Sequence, residues 1–157
     1  MGRKFASPQR YLRPDPRFGS KLVTKIVNAL MLEGQKTVAQ RVFYRAMDIV
    51  AERIGDREPV EILNQAIENI KPRIEVRSKR VGGATYQVPI EVKRTRQQTL
   101  AIRWLLEVVR KKKGRPMSDR IADEVCGAFR GEGEAVTKRD NVHKMAEANR
   151  AFAHFAW

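Results

Sequence analysis

Residues 77–89 read RSKRVGGATYQVP, and this run decides what kind of fold the chain can have. Two short extended runs, 73–81 and 85–92, flank Gly82-Gly83-Ala84. Paired glycines between β-branched runs signal a hairpin, because its tight turns need positive φ. Tyr86, Val88, Ile90 and Val92 alternate onto one face of the second strand, with Thr85, Gln87, Pro89 and Glu91 on the other. Pro89 cannot donate to a ladder, so the pair is expected at an edge and not inside a sheet. Arg73, Arg77, Lys79 and Arg80 make this arm cationic. A hairpin alone is marginal in water, so it requires a packed base or a partner surface.

Outward from the arm, the chain is helical in pattern. A first helix is expected from Ser20 to Gly34, with Leu22, Val23, Ile26, Val27, Leu30 and Met31 as its apolar face and Lys21, Lys25 and Asn28 together on another. Thr37 with Gln40 predicts a capping box for the second, whose stripe is Val38, Val42, Ala46, Ile49 and Val50, ended by Gly55. Asp56 is the expected cap of the third, with Pro59 in its first turn and Leu63, Ala66, Ile67 and Ile70 inward. Lys71-Pro72 closes that helix. After the arm, a long fourth helix runs from about 92 to 111, with Leu100, Trp104, Leu105 and Val108 on one stripe. Lys93, Arg96, Arg103 and Arg110 line another. Lys111 to Arg115 suit the negative end of the helix dipole or a phosphate backbone equally. A fifth helix is expected over 118–130 and a sixth over 135–155, the latter with Val142, Met145, Ala148 and Phe152 as its stripe. Residues 1–18 hold Pro8, Pro14 and Pro16 and no period. They read as an extended basic tail that orders on a partner, or else as a terminus without a role.

The 157 residues fit one domain with a real core. The net charge of +14 calls for a polyanionic partner. The excess is not evenly spread: residues 71–115 carry net +11 and residues 1–25 net +6, while 48–70 carry −4. A surface built only for solubility would mix signs throughout. The single cysteine, Cys126, excludes an internal disulfide and fits a reducing compartment. No apolar run is long enough for a membrane span, and the N-terminus lacks the apolar core of a signal peptide.

Chemistry finds little support. His143, His154 and Cys126 show no metal-ligand spacing. Gly82-Gly83 lacks the strand-to-helix context of a phosphate loop, and no nucleophile elbow is present. No catalytic residue, metal, cofactor or small-molecule substrate is expected. Tyr86 reads either as packing at the arm's base or as a ring for an unpaired base, which suits RNA more than duplex DNA. A basic helical domain with tail and arm fits a folded RNA. It also fits an architectural DNA binder whose arm lies in the minor groove.

Five segments carry a closer resemblance: PDPRFGSKLVTKIVNALMLEGQK at 14–36, RVFYRAMDIV at 41–50, KPRIEVRSKRVGGATYQVPIEV at 71–92, LAIRWLLE at 100–107 and HKMAEANRAFAHFAW at 143–157. In this order and spacing the chain resembles the family of bacterial-type ribosomal small-subunit protein seven over essentially its whole length. That resemblance implies six helices in one bundle-like domain, with the arm protruding between the third and fourth and a basic extended tail. It implies a primary binder of the three-prime major domain of small-subunit ribosomal RNA that nucleates assembly of the subunit head. The arm would lie near the exit-site transfer RNA and the message path. Ribosomal small-subunit proteins nine and eleven would be neighbours, in the cytoplasm or in an organellar ribosome. Repression of the family's own message is a further role it allows. Carried over, the RNA-facing residues are Arg3, Lys4 and Arg10 in the tail, Lys21, Lys25 and Asn28 on the first helix, and Lys36. They continue with Arg73 and Arg77 in the arm, then Arg94, Arg96 and Arg103 on the fourth helix. Lys79, Arg80, Gly82, Gly83 and Tyr86 form the arm tip near the transfer RNA and message. His143 and Asn149 match the C-terminal signature. Phe18, Gln35 and the ending Phe155-Ala156-Trp157 depart from the usual family residues.

Overall fold

A computed structural model describes residues 11–156. Six α-helices and one hairpin follow in the order α1 (Lys21–Leu30), α2 (Lys36–Ile54), α3 (Pro59–Ile70), β1 (Ile74–Val81), β2 (Ala84–Glu91), α4 (Arg94–Lys111), α5 (Met117–Phe129) and α6 (Glu134–Ala148). A short 3₁₀ helix, Arg150–Phe155, closes the described chain. The expected helical domain with an arm between the third and fourth helices is therefore what forms.

The core draws one face from each helix. Ile26, Phe43, Met47, Ile62, Leu63, Ile67, Leu105 and Ile121 are fully buried. Each such side chain contributes about 1.5–3 kcal/mol by leaving water. Helix α5 is central, packing on α2, α3, α4 and α6. Its Ala122 and Ala128 are wholly buried, and side chains this small let neighbouring helices approach closely.

Several local expectations are corrected. Helix α1 ends at Leu30 and not near Gly34, which sits at φ 76° in the turn to α2. That turn starts α2 at Lys36, so Thr37 is already inside the first turn and no side-chain capping bond forms. The α2 stripe is rolled from the expected one. Val38 is 49% exposed, while Ala39, Phe43 and Met47 are buried with Ala46 and Val50. Phe43 offers more apolar area than Val38, and the helix turns to bury it. Glu58, not Asp56, precedes α3, because Pro59 with its fixed φ and missing N–H takes the first helical position. Helix α4 begins at Arg94; Val92 instead closes the arm, its N–H donating to Arg73 O at 3.0 Å.

The sixth helix is not continuous to 155. It stops at Ala148, where the backbone N–H and the side-chain amide of Asn149 both donate to Met145 O. Met145, expected inward, is 51% exposed. In the 3₁₀ helix, residues three apart eclipse. That brings Phe152 and Phe155 to one side, each ring 5.1 Å from Tyr86.

The hairpin turn is the two residues Gly82 and Gly83, at φ 58° and 89°, with Val81 and Ala84 already paired. Positive φ at both positions is what a type I′ turn requires, and its twist matches the strands. Ala84 thus belongs to the second strand. The register opposes Lys79 to Tyr86, Arg77 to Val88 and Glu75 to Ile90 on one face. That face meets the C-terminal 3₁₀ helix and the body, and Val88 is fully buried there.

The chain before α1 is not extended throughout. Asp15 is 4% exposed. Its carboxylate accepts the backbone N–H groups of Arg17 and Phe18 and the Tyr44 hydroxyl of α2, the last at 2.8 Å. An aspartate bonding its own backbone two residues on makes a self-contained turn. Burial of the Tyr44 ring, with the Asp15 charge beside it, pushes the phenol's pKa up. The part of the expected tail at residues 1–10 lies outside the described residues.

Candidate nucleic-acid interface

Helices α1 and α4 run side by side, and a groove of about 860 Å³ lies along their seam. Lys25, Asn28, Arg103, Arg110 and Lys111 line it, with Leu12 at one end. A second hollow of about 510 Å³ shares Leu12 and Asn28 and adds Arg13 and Lys36. Four residues predicted from separate parts of the sequence, Lys25, Asn28, Lys36 and Arg103, therefore edge one continuous surface. Lys25 is held there by donating to Gln98 Oε1 of α4.

The helix starts around this surface share an unusual electrostatic choice. A helix N-terminus carries partial positive charge, so acidic residues are favoured in its first turn and cations are not. Helices α3, α5 and α6 follow that rule with Glu61, Asp119 and Glu134. Helices α1, α2 and α4 reverse it. None has an acidic residue in its first turn. They open instead on Lys21, Lys36 and the Lys93-Arg94 pair, all exposed. Cations at a helix start add to the partial positive charge already there, which suits an anion.

Other predicted cations are partly engaged within the chain. Glu75 of β1, its side chain 13% exposed, pairs with Arg77 and with Arg96 of α4. This carboxylate ties the arm to the body, and nothing in the alternation pattern marks it out. Arg110 stays exposed beside Arg103 and also donates to the carbonyls of Ala29 and Leu30, which end α1. Lys112 pairs with the buried Glu124, so the basic run at 111–115 is in part structural. Lys79 donates to Phe155 O at 2.7 Å. The Tyr86 ring lies against Phe152 and Phe155, so of its two readings packing is the one observed, though against the C-terminal segment.

Arg80, Gly82 and Gly83 are exposed at the arm tip, and Arg73 and Arg94 are exposed near its base. His143 of α6 accepts the backbone N–H of Arg73 at its Nε2, 3.0 Å away. Burial, then the charges of Arg139 and Arg73, hold the imidazole's pKa below its ordinary value. Asn149 closes α6 as described. Arg3, Lys4 and Arg10 lie outside the described residues. Sequence reasoning also missed the Asp15–Tyr44 anchor, although Pro14-Asp15-Pro16 carries the turn chemistry that signals it.

Among the described residues no group of three or more His, Cys, Asp or Glu side chains is placed to hold a metal. No helix among them is long and apolar enough to cross a membrane.

A helical domain with a cationic seam, cation-led helix starts and a tethered basic hairpin belongs to the class of proteins that hold a polyanion by shape and charge. The family model described as "Ribosomal protein S7p/S5e" matches residues 2–150. Curated relatives match end to end. The chain is 58% identical to "Small ribosomal subunit protein uS7" of Rhodopirellula baltica, with 100% of both chains covered. It is 52% identical to the protein of the same name from Fervidobacterium nodosum, again over 100% of both. To that of Thermotoga maritima it is 50% identical over 99% of each. The chain belongs to the ribosomal protein S7p/S5e family and is a ribosomal protein of the bacterial type.

Proposed function

We propose that this chain is a structural constituent of the small ribosomal subunit and a primary binder of the three-prime major domain of its ribosomal RNA. The observation that carries this is the cationic seam, where Lys25, Asn28 and Arg103 line one groove and Lys36 edges the hollow that shares Asn28 with it. The cations that open α1, α2 and α4 disfavour the isolated fold and favour a bound phosphate backbone. Lys21, Lys25, Asn28, Lys36, Arg94, Arg96 and Arg103 hold the RNA on this face, and Arg73 and Arg77 extend the contact onto the arm. Arg3, Lys4 and Arg10 prolong it upstream of the Asp15 anchor, so the whole chain acts as one RNA-binding domain. No bond is made or broken. Affinity comes from counterion release, and specificity from the spacing of tail, groove and arm.

By the same reading, binding nucleates the subunit head during assembly in the cytoplasm. The arm tip, with Lys79, Arg80, Gly82, Gly83 and Tyr86, approaches the exit-site transfer RNA and the message. Small-subunit proteins nine and eleven are neighbours. The relatives' shared name, "Small ribosomal subunit protein uS7", supports the subunit assignment.

Filter binding at two salt concentrations tests the reading. The competitors are the isolated three-prime major domain, an unrelated folded RNA of equal length, and duplex DNA. A preference for the first that persists at the higher salt is expected. Equal retention of all three would reduce the protein to a generic polycation and overturn the proposal.

A further inference from the structure

The arm leaves the body through Lys71, Pro72 and Arg73. The Lys71 N–H still bonds to α3, donating to Ile67 O at 3.1 Å. Pro72 has no N–H. Arg73 is therefore the first residue whose amide can tie the arm to anything new. Its carbonyl accepts from Val92 N–H, joining the two ends of the arm. Its own N–H donates to His143 Nε2 on α6. Both ends of the hairpin thus converge on one residue, Arg73, and one imidazole on another helix holds its N–H.

Resting on the function proposed above, we propose that His143 is a positioning residue for the arm: it sets the arm's angle to the body through the Arg73 amide and does not itself touch RNA. An imidazole accepts at Nε2 only when it is neutral and carries its proton on Nδ1. The charged groups around it are Arg139 and Asp140 on its own helix and Arg73 on the arm. Arg139 is held in place by donating to Asp140 and to Asn69 O at the end of α3. Burial first, then the two guanidinium groups, outweigh Asp140 and disfavour protonation, and so keep the acceptor available. A protonated imidazole would set N–H against N–H and release the arm's base.

The test uses the full chain, isotope-labelled, with His143→Gln, which keeps an acceptor, and His143→Leu, which does not. The Arg73 amide resonance should move with pH, with a midpoint below the usual imidazole value of about 6.5. His143→Leu should speed exchange of that amide roughly fivefold or more while the helix amides hold, as expected for one lost hydrogen bond. It should also weaken binding to the ribosomal RNA domain without changing the salt slope, since no phosphate contact is lost. His143→Gln should recover most of both effects. An Arg73 amide indifferent to pH and to both variants would overturn the proposal. So would a Gln variant as weak as Leu with a reduced salt slope, which would place the imidazole on the RNA. If the unaltered chain shows no preference for the ribosomal RNA, the binding reading fails by itself. The Arg73 amide still decides whether His143 positions the arm.

Discussion

Glu124 Oε1, on α5, accepts the backbone N–H of Ala135 at the start of α6 over 2.8 Å. One helix thus caps the next. The residue in the N-cap position, Gly133, has no side chain to do so and sits at φ 103°. Glu124 is only 1% exposed, and Lys112 Nζ at the end of α4 lies 2.7 Å from its other oxygen. Removing Glu124 leaves the Ala135 N–H without its acceptor, at about 1–3 kcal/mol, while Lys112, about one-third exposed, keeps Glu134. Glu124→Ala should therefore lower Tm by roughly 2–12 °C in a domain of this size. Gly133→Ala should also destabilise, because the added carbon would fall 2.9 Å from Glu124 Oε1 in a backbone conformation hostile to side chains. Calorimetry on both variants checks this, and an unchanged Tm in Glu124→Ala would remove the cross-helix cap from the stability of the fold.

Stability should form a plateau bounded by acid and by strong base. Burial pushes the Asp123 carboxyl up, but Arg53 and Arg115 outweigh it and hold its pKa below the ordinary value. Lys138 and Lys111 hold Glu107 low as well. A depressed carboxyl contributes stability above its unfolded pKa and loses it as pH falls through the folded one, here from about pH 4 downward. Lys112 runs the other way. Burial lowers its pKa, yet Glu124 and Glu134 raise it overall. Its contribution is complete below about pH 10 and fades as pH climbs through the raised value. Urea midpoints from pH 3 to 7 should rise and then level. Asp123→Asn should flatten that acid limb, and a variant curve running parallel to the original would refute the assignment.

Arg103 and Arg96 should separate when replaced singly. Arg103 edges the α1–α4 groove and is exposed. Arg103→Ala should weaken RNA binding, cut the salt slope by about 0.7–0.9, and leave thermal stability within about 0.5 kcal/mol. Arg96 also serves Glu75, which holds Arg77. Arg96→Ala should weaken binding and also speed amide exchange near Glu75. Identical behaviour of the two variants would contradict the division.

The sequence revealed what period and composition can carry. The hairpin rests on Gly82-Gly83 and strict alternation, both local, and it formed where expected. Core stripes in α1, α3 and α4 were legible because their apolar residues sit at strict helical spacing. In α2 the period alone could not tell Val38 from Phe43, since adjacent stripes compete and the neighbours decide. The cationic excess was legible only in bulk. Whether a given cation is also engaged within the chain depends on a partner distant in sequence, as Arg110 has in Ala29 and Lys112 in Glu124. The break at Asn149 was hidden because its local mark, the Asn149 side-chain amide on Met145 O, is compatible with a continuing helix. Phe152 and Phe155 meet Tyr86, which is distant in sequence.

That break supplies a last prediction. The 3₁₀ helix contains no buried residue, and its principal contact is with β2. Removing residues 150–157 should leave the helical core intact, with an unchanged cooperative transition in circular dichroism. The arm should respond instead, since Tyr86 loses two aromatic neighbours and Lys79 loses the Phe155 carbonyl. Such contacts are worth about 0.5–1.5 kcal/mol each, enough to raise amide exchange in β1 and β2 severalfold. Tyr86 fluorescence should become accessible to quenchers. RNA affinity discriminates two consequences. If a packed arm is what the RNA meets, truncation weakens binding; if the exposed ring stacks on a base, truncation strengthens it and Tyr86→Ala abolishes the gain. An arm whose exchange is unaltered by the truncation would show that His143 and Glu75 suffice to hold it.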